Sequence, residues 1–97
     1  MATGAGSRVE LENLRARILQ VDGELVDLVK ERRALALAIG KLKRDLGLPV
    51  LDPAREAAVV RRAAALAREK GVDEELTRDV IWRIMASARE AQERGED

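Results

Sequence analysis

Four positively charged side chains occupy positions in this sequence that suggest chemistry. Arg32 falls where a helical apolar repeat calls for a leucine, and Lys43 lies beside the same repeat. Arg55 lies in the first turn of a predicted helix, where the helix dipole disfavours a cation, and Arg15 flanks the start of the repeat. Because buried charge is costly unless it is paired or used, these cations suit a pocket for a small substrate with two negative charges, shared between two copies of the chain.

Each of these polar residues also has a structural explanation. Arg32 can extend its guanidinium to solvent or pair with an internal Glu. Arg15, Lys43 and Arg55 can be ordinary solvated charges on the surface. Gln92 falls on the apolar face of the last predicted helix, but an amide near a chain end is often simply solvated.

Composition narrows the possible functions. The 97 residues carry 18 basic and 18 acidic side chains, so there is no net field to hold nucleic acid or an anionic membrane. The absence of His and Cys removes disulfides, thiol nucleophiles, most zinc sites and the usual general base. No stretch approaches the roughly 20 apolar residues of a membrane span or resembles a signal peptide. We therefore expect a cytoplasmic protein without a metal site.

The first half of the chain predicts one long helix. Apolar residues recur there at alternating intervals of three and four: Leu11, Leu14, Ile18, Val21, Leu25, Leu28, Leu35, Ile39, Leu42 and Leu46. The predicted helix runs from Arg8 to Leu46, after a disordered tail at residues 1–7. At about 1.5 Å per residue it would span roughly 50 Å or more, so it must protrude or cross a partner.

Two shorter helices are predicted after a break. Gly47 suits a helix C-cap and Pro49 bars continuation, while Asp52 followed by proline is typical of an N-cap and first helical residue. This second helix carries an alanine-rich face and ends at Gly71.

Asp73 then caps a third helix, whose buried side we predict from its apolar positions: Leu76, Val80, Ile81, Ile84, Met85 and Ala88. The predicted fold is all-α, with a single domain at residues 8–94 and a frayed end at 95–97. We interpret Trp82 and the alanine face as packing surfaces.

The separation of Arg15 and Lys43 constrains how they could share a ligand. They are 28 residues apart, or about 42 Å along a straight helix. One small molecule cannot contact both within a single chain, whereas an antiparallel dimer would allow it.

Several motifs together resemble the all-helical class of chorismate mutases over roughly Leu11 to Gln92. The resemblance rests on a set of short segments in matching order: Leu14-Arg15-Ala16-Arg17-Ile18, Val21-Asp22, Glu31-Arg32-Arg33, Ile39-Gly40-Lys41-Leu42-Lys43, Pro49-Val50-Leu51-Asp52-Pro53-Ala54-Arg55-Glu56, and Gln92. It implies an intertwined homodimer of three-helix protomers with two active sites. It also implies the pericyclic rearrangement of chorismate to prephenate in phenylalanine and tyrosine biosynthesis, without cofactor, nucleophile or proton transfer.

The resemblance also assigns roles to individual residues. Arg32 and Arg55, with Arg15 from the second protomer, would bind the two carboxylates of chorismate. Lys43 and Gln92 would contact the ether oxygen of the breaking bond, and with Arg32 they are the expected catalytic residues.

Three further positions complete the expected site. Glu56 and the backbone N–H of Asp52 would receive the ring hydroxyl. Where several family members carry a Ser that binds a carboxylate, this chain has Ala88. We expect weaker substrate binding there unless Arg89 or a water takes over, because Ser87 lies about 100° round the helix.

Two alternative functions remain open. Relatives of this fold act as isochorismate-pyruvate lyases or aminodeoxychorismate mutases, but they tend to have an apolar residue at the position of Glu56. A non-catalytic helical dimer that binds partners would explain the neutral charge and the apolar seam, which is the helix face formed by the apolar repeat from Leu11 to Leu46. It would not explain the cations at Arg32 and Arg55.

Overall fold

A computed structural model describes residues 4–95 of the chain. These residues form three helices, α1 (Gly4–Asp45), α2 (Pro53–Lys70) and α3 (Glu74–Glu93), and contain no strand. The prediction of an all-α fold with a long first helix is confirmed. Contacts within the chain divide it into two units, one up to Arg32 and one from Arg33 onward.

The start of α1 differs from the prediction. The helix begins at Gly4 and not at Arg8, so residues 4–7 are helical and do not belong to a disordered tail. Gly4 and Gly6 disfavour a helix, and no apolar repeat begins before Val9, so the sequence pattern does not predict a helix over these residues. Residues 1–3 of the predicted tail lie outside the described residues. At the other end, residues 96–97 of the predicted frayed segment also lie outside them, and Gly95 forms part of a turn.

Local chemistry sets the turn between α1 and α2. Gly47 adopts a φ of +70°, and the N–H of Leu48 donates to the carbonyl of Lys43 at 2.7 Å. This geometry closes the helix end and favours glycine. Asp52 then caps α2, its Oδ1 accepting from the N–H of Arg55 at 3.0 Å, so both predicted boundaries are observed.

The turn between α2 and α3 follows the same principles. Gly71 has a φ of +70°, and the N–H of Val72 donates to the carbonyl of Ala67 at 2.8 Å. Asp73 accepts from the N–H of Leu76 at 3.0 Å, which caps α3 as predicted. The short connection makes α2 and α3 adjacent antiparallel neighbours.

Small side chains form the contact between α2 and α3. Apart from Gly40 of α1, the buried residues of the described chain are alanines and one methionine: Ala64, Ala67, Met85, Ala86, Ala88 and Ala91. The alanine face of α2 therefore packs as predicted, since small residues allow helices to approach closely. Three residues that were predicted to pack are exposed within the chain, so their burial is not realised there: Leu76 at 57%, Val80 at 45% and Trp82 at 57%.

The first unit consists of α1 up to Arg32. Its apolar side chains, from Leu14 to Leu28, are exposed within the chain, and its ion pairs join neighbours along the helix, such as Arg15 to Glu12 at 2.9 Å. In the second unit the later seam residues Leu35, Ile39 and Leu42 are also exposed. None of the described helices is long and apolar enough to cross a membrane.

Candidate functional site

Lys43 lies at the end of α1 and reaches into the loop before α2. Its Nζ donates to the carbonyl of Val50 at 3.2 Å, and the side chain is half-buried. An ammonium has three N–H groups, so two remain for a ligand. This contact holds the positive charge two residues before Asp52.

The first turn of α2 offers a cation and free backbone donors. The carbonyl of Asp52 accepts from the N–H of Glu56 at 3.0 Å. The guanidinium of Arg55 is exposed, and within the described residues neither it nor the N–H of Asp52 has a hydrogen-bond partner. A helix N-terminus with a free arginine attracts anions.

Glu56 pairs with Arg89, which joins the start of α2 to the end of α3. Nη1 of Arg89 donates to Oε1 of Glu56 at 2.5 Å, and each side chain is 26% exposed. The hydrogen bond to Glu56 raises the pKa of Arg89 above its ordinary value, so the guanidinium stays charged. The sequence motifs suggest Arg89 only as a replacement for a missing serine. Its position three residues before Gln92, on the same helix face, is the sequence signal for a closer role.

Gln92 is fixed against α1 by its side chain and its backbone. Its Nε2 donates to the carbonyl of Ala36, and Nη1 of Arg44 donates to its backbone carbonyl at 3.1 Å. Its side-chain carbons lie against Gly40. The side chain is half-buried, so the alternative of a solvated terminal amide is wrong.

Ala88 is buried, with 5% of its surface exposed. The adjacent Ser87 accepts a hydrogen bond from Nη1 of Arg33 at 3.4 Å. Its hydroxyl therefore contributes to the contact between α3 and α1 and does not take the place of a serine at position 88.

Arg15 and Arg32 belong to the first unit. Arg15 is exposed and bound to Glu12, as the surface explanation predicts for a single chain. Arg32 is half-buried and makes no hydrogen bond or ion pair in the part of the chain that the structure describes. The alternative of an internal ion pair with a Glu is therefore not observed for Arg32.

Three side-chain contacts tie the helix ends of the second unit to one another. Lys43 joins α1 to the loop before α2, Glu56 joins α2 to α3, and Gln92 joins α3 to α1. The sequence-predicted residues Lys43, Asp52, Arg55, Glu56, Ala88 and Gln92 all belong to the segments that these contacts connect. The resulting corner presents positive charge, fixed N–H donors and the carboxylates of Asp52 and Glu56. Such an arrangement suits orientation of a small anion.

These features define a small helical protein with a candidate anion-binding corner and no disulfide framework, since it lacks cysteine. The chain belongs to the chorismate mutase type II family, whose model matches residues 14–93. The resemblance inferred from the sequence motifs is confirmed. The prediction of an isomerase is confirmed as well, because the mutases of this family are isomerases.

Three relatives illustrate the range within the family. The chorismate mutase of Methanocaldococcus jannaschii is 34% identical over 69% of this chain and 68% of that protein. The T-protein of Haemophilus influenzae is 36% identical over 77% of this chain but only 20% of its own length. The 4-amino-4-deoxychorismate mutase of Streptomyces venezuelae is 40% identical over 67% of this chain and 63% of that protein. No solved structure matches this chain significantly.

Proposed function

We propose that this chain catalyses the rearrangement of chorismate to prephenate. The observation that carries the proposal is the corner where Lys43 and Gln92 are each held by a backbone carbonyl with N–H donors to spare. Family membership and the relative named chorismate mutase support the same reaction.

The cations would bind the two carboxylates of the substrate. Arg55 is exposed beside the N-terminus of α2, and Arg32 is half-buried without an ion pair among the described residues. Charge-assisted hydrogen bonds from guanidinium groups are strong and directional. They would hold the substrate in its folded conformer, which brings its own negative charges together and is otherwise disfavoured.

Lys43 and Gln92 would act on the ether oxygen. In the reaction one C–O bond breaks and one C–C bond forms within the same molecule, and negative charge grows on that oxygen. Lys43 has two N–H groups left after its bond to Val50, and Gln92 has one left after its bond to Ala36. Donors fixed in advance stabilise developing charge without reorganisation.

Glu56 and the N–H of Asp52 would bind the ring hydroxyl. Arg89 occupies Oε1 of Glu56, which leaves the other carboxylate oxygen to accept from a hydroxyl. The unbonded N–H of Asp52 lies four residues earlier, at the cap of the same helix. An acceptor and a donor together suit a hydroxyl, which has both functions.

We further propose that two copies of the chain form the working enzyme. The apolar seam of α1 is exposed in a single chain, with Leu14 58%, Ile18 59% and Leu25 55% exposed. Contiguous apolar surface of this kind marks an association site. Pairing of the seams of two copies would bury this apolar surface and would allow Arg15 of one copy to bind substrate in the site of the other.

The experiment that tests the reaction is an assay on purified protein. Chorismate is added, its ultraviolet absorbance is followed, and the product is identified chromatographically against authentic prephenate. We expect loss of chorismate with matching formation of prephenate. Loss no faster than in buffer would overturn the proposal.

A further inference from the structure

Arg89 is a charged residue at the candidate site with no role in the proposed reaction. We propose that Arg89, through its ion pair with Glu56, sets the charge that faces the ring substituent, so that the site accepts a neutral hydroxyl and rejects a cationic amine. This inference rests on the proposed function. It matters because relatives of this chain include both a chorismate mutase and a 4-amino-4-deoxychorismate mutase.

The geometry of the pair differs from that of an ordinary surface ion pair. Arg89 and Glu56 are 33 residues apart in the sequence and join two helices at 2.5 Å. Each side chain is 26% exposed, in contrast to the pair of Arg15 with Glu12, where the values are 63% and 69%. Partly buried charges are screened less by water and salt. The charge of Arg89 therefore acts on whatever binds at Glu56.

The pair alters what Glu56 can recognise. A lone carboxylate would attract an ammonium group more strongly than a hydroxyl, because the ammonium adds a full charge to the hydrogen bond. With Arg89 bound, the pair has no net charge. The free oxygen of Glu56 still accepts a hydrogen bond from a hydroxyl.

An amine in place of the hydroxyl would meet a different environment. Aliphatic amines are protonated near neutral pH, so the ligand would place a positive charge beside the guanidinium of Arg89. Glu90 and Glu93, which also favour the charged form of Arg89, are exposed. Solvent weakens their attraction for the amine. The repulsion from Arg89 therefore opposes the amine specifically.

A purely structural role for Arg89 makes a different prediction. The pair also links α2 to α3, so its loss could disturb the whole corner. Such a disturbance would lower activity towards both substrates by the same factor. The ratio of the activities towards the two substrates therefore distinguishes a specificity role of Arg89 from a structural one.

The experiment compares chorismate with 4-amino-4-deoxychorismate. Values of kcat/KM for both are measured on the full chain as wild type, Arg89→Met, Arg89→Lys and the control Arg61→Met. Arg61 is an exposed arginine of α2 with no hydrogen bond or ion pair among the described residues. Circular dichroism establishes that each variant is folded.

We expect the wild type to prefer chorismate. In Arg89→Met the ratio of amine to hydroxyl activity should rise by about tenfold or more, since an adjacent charge changes the stability of an ion by at least about that factor. Arg89→Lys keeps a positive charge and should retain the wild-type ratio. Arg61→Met should match the wild type.

Two results would overturn the inference in distinguishable ways. If the wild type converts chorismate but Arg89→Met shows an unchanged ratio, the specificity role is wrong while the proposed function stands. If the wild type converts neither compound, the proposed function fails and the inference fails with it. Should Arg89→Met not fold, Arg89→Gln replaces it, with the same shift in ratio expected.

Discussion

Gly40 of α1 and the side chain of Gln92 of α3 are packed so closely that no side chain fits between them. A Cβ built at Gly40 would lie 2.7 Å from Cγ of Gln92 and 3.1 Å from its Cβ. The amide of the same glutamine donates to the carbonyl of Ala36, one turn earlier in α1. The absence of a side chain at Gly40 therefore determines where the Gln92 amide can lie.

We predict that Gly40→Ala lowers both turnover and stability. Alanine favours a helix over glycine by about 1 kcal/mol, but the new methyl group must displace Cγ and Cβ of Gln92, which lie near its backbone. Overpacking of this kind costs about 1 to 3 kcal/mol. In the proposed reaction the displaced amide can no longer reach the ether oxygen, so kcat should fall about tenfold or more. Steady-state kinetics and urea unfolding measure the two effects.

Gly23→Ala is the matched control for this substitution. A Cβ at Gly23 meets nothing within 4 Å. Gly23 lies two residues from both Val21 and Leu25, and hence on the face of α1 opposite the apolar seam. This variant should keep its activity and gain about 1 kcal/mol in free energy of unfolding. Equal turnover in the two variants would contradict the role of Gly40.

We predict that Lys43→Ala nearly abolishes turnover. Removal of one fixed donor to a developing negative charge costs about 10² to 10³ in kcat. Lys41→Ala is the control, because Lys41 is exposed and lies two residues away on another helix face. Initial rates at saturating chorismate give kcat for both. Turnover by Lys43→Ala at the rate of the control would remove Lys43 from the catalytic residues.

The variant Arg32→Leu distinguishes between an enzymatic and a purely structural function of the chain. Arg32 is half-buried and has no ion pair in the described residues, so leucine should maintain stability or raise it by about 1 kcal/mol. Loss of a hydrogen bond to a carboxylate, worth about 1.5 to 3 kcal/mol, should reduce kcat/KM roughly 10- to 100-fold. Thermal unfolding and kinetics are measured on the same samples. A stable variant with full activity would favour a non-catalytic module.

The sequence predicts the helix ends that depend on local chemistry. Gly47 and Asp52 were identified because a left-handed φ and a capping carboxylate are requirements of single residues, and the structure shows a φ of +70° and a 3.0 Å cap. The start of α1 at Gly4 lies among small residues that have no apolar periodicity. Burial of Trp82 could not be judged either, because amphipathic spacing does not distinguish a core from a face that one chain leaves exposed.

Contacts between distant segments of the site were harder to predict. The pairing of Glu56 with Arg89 and the contact of Gln92 with Gly40 depend on how the end of α3 meets two other elements. Residue types alone do not specify that arrangement. The motif resemblance identified Glu56 and Gln92, but it gave no partner for either.

We predict that Ala88→Ser lowers KM for chorismate by about tenfold with little change in kcat, because a hydroxyl there would add a hydrogen bond to a charged carboxylate. Both neighbours are engaged in other contacts, since Ser87 accepts from Arg33 and Arg89 binds Glu56. Ala86→Ser is the control, as Ala86 is equally buried on another face of α3. It should lose stability and keep its KM. An unchanged KM in Ala88→Ser would contradict the prediction that a hydroxyl at this position strengthens substrate binding.

The proposed placement of Arg15 in the site of a second copy predicts complementation between two inactive variants. Arg15→Ala and Lys43→Ala should each be nearly inactive alone. A mixed dimer would contain one site with both mutations and one site with neither. If subunits exchange at random, activity should recover to about a quarter of the wild-type value.

This recovery distinguishes the two possible arrangements. If Arg15 bound substrate in the site of its own chain, both sites of a mixed dimer would lack one cation and no activity would return. The two variants are unfolded together in urea, refolded as a mixture and assayed with chorismate, and each variant refolded alone is the control. Light scattering measures the mass of the product, which should be that of two chains. Failure of a correctly refolded mixture to recover activity would place Arg15 outside the partner's site.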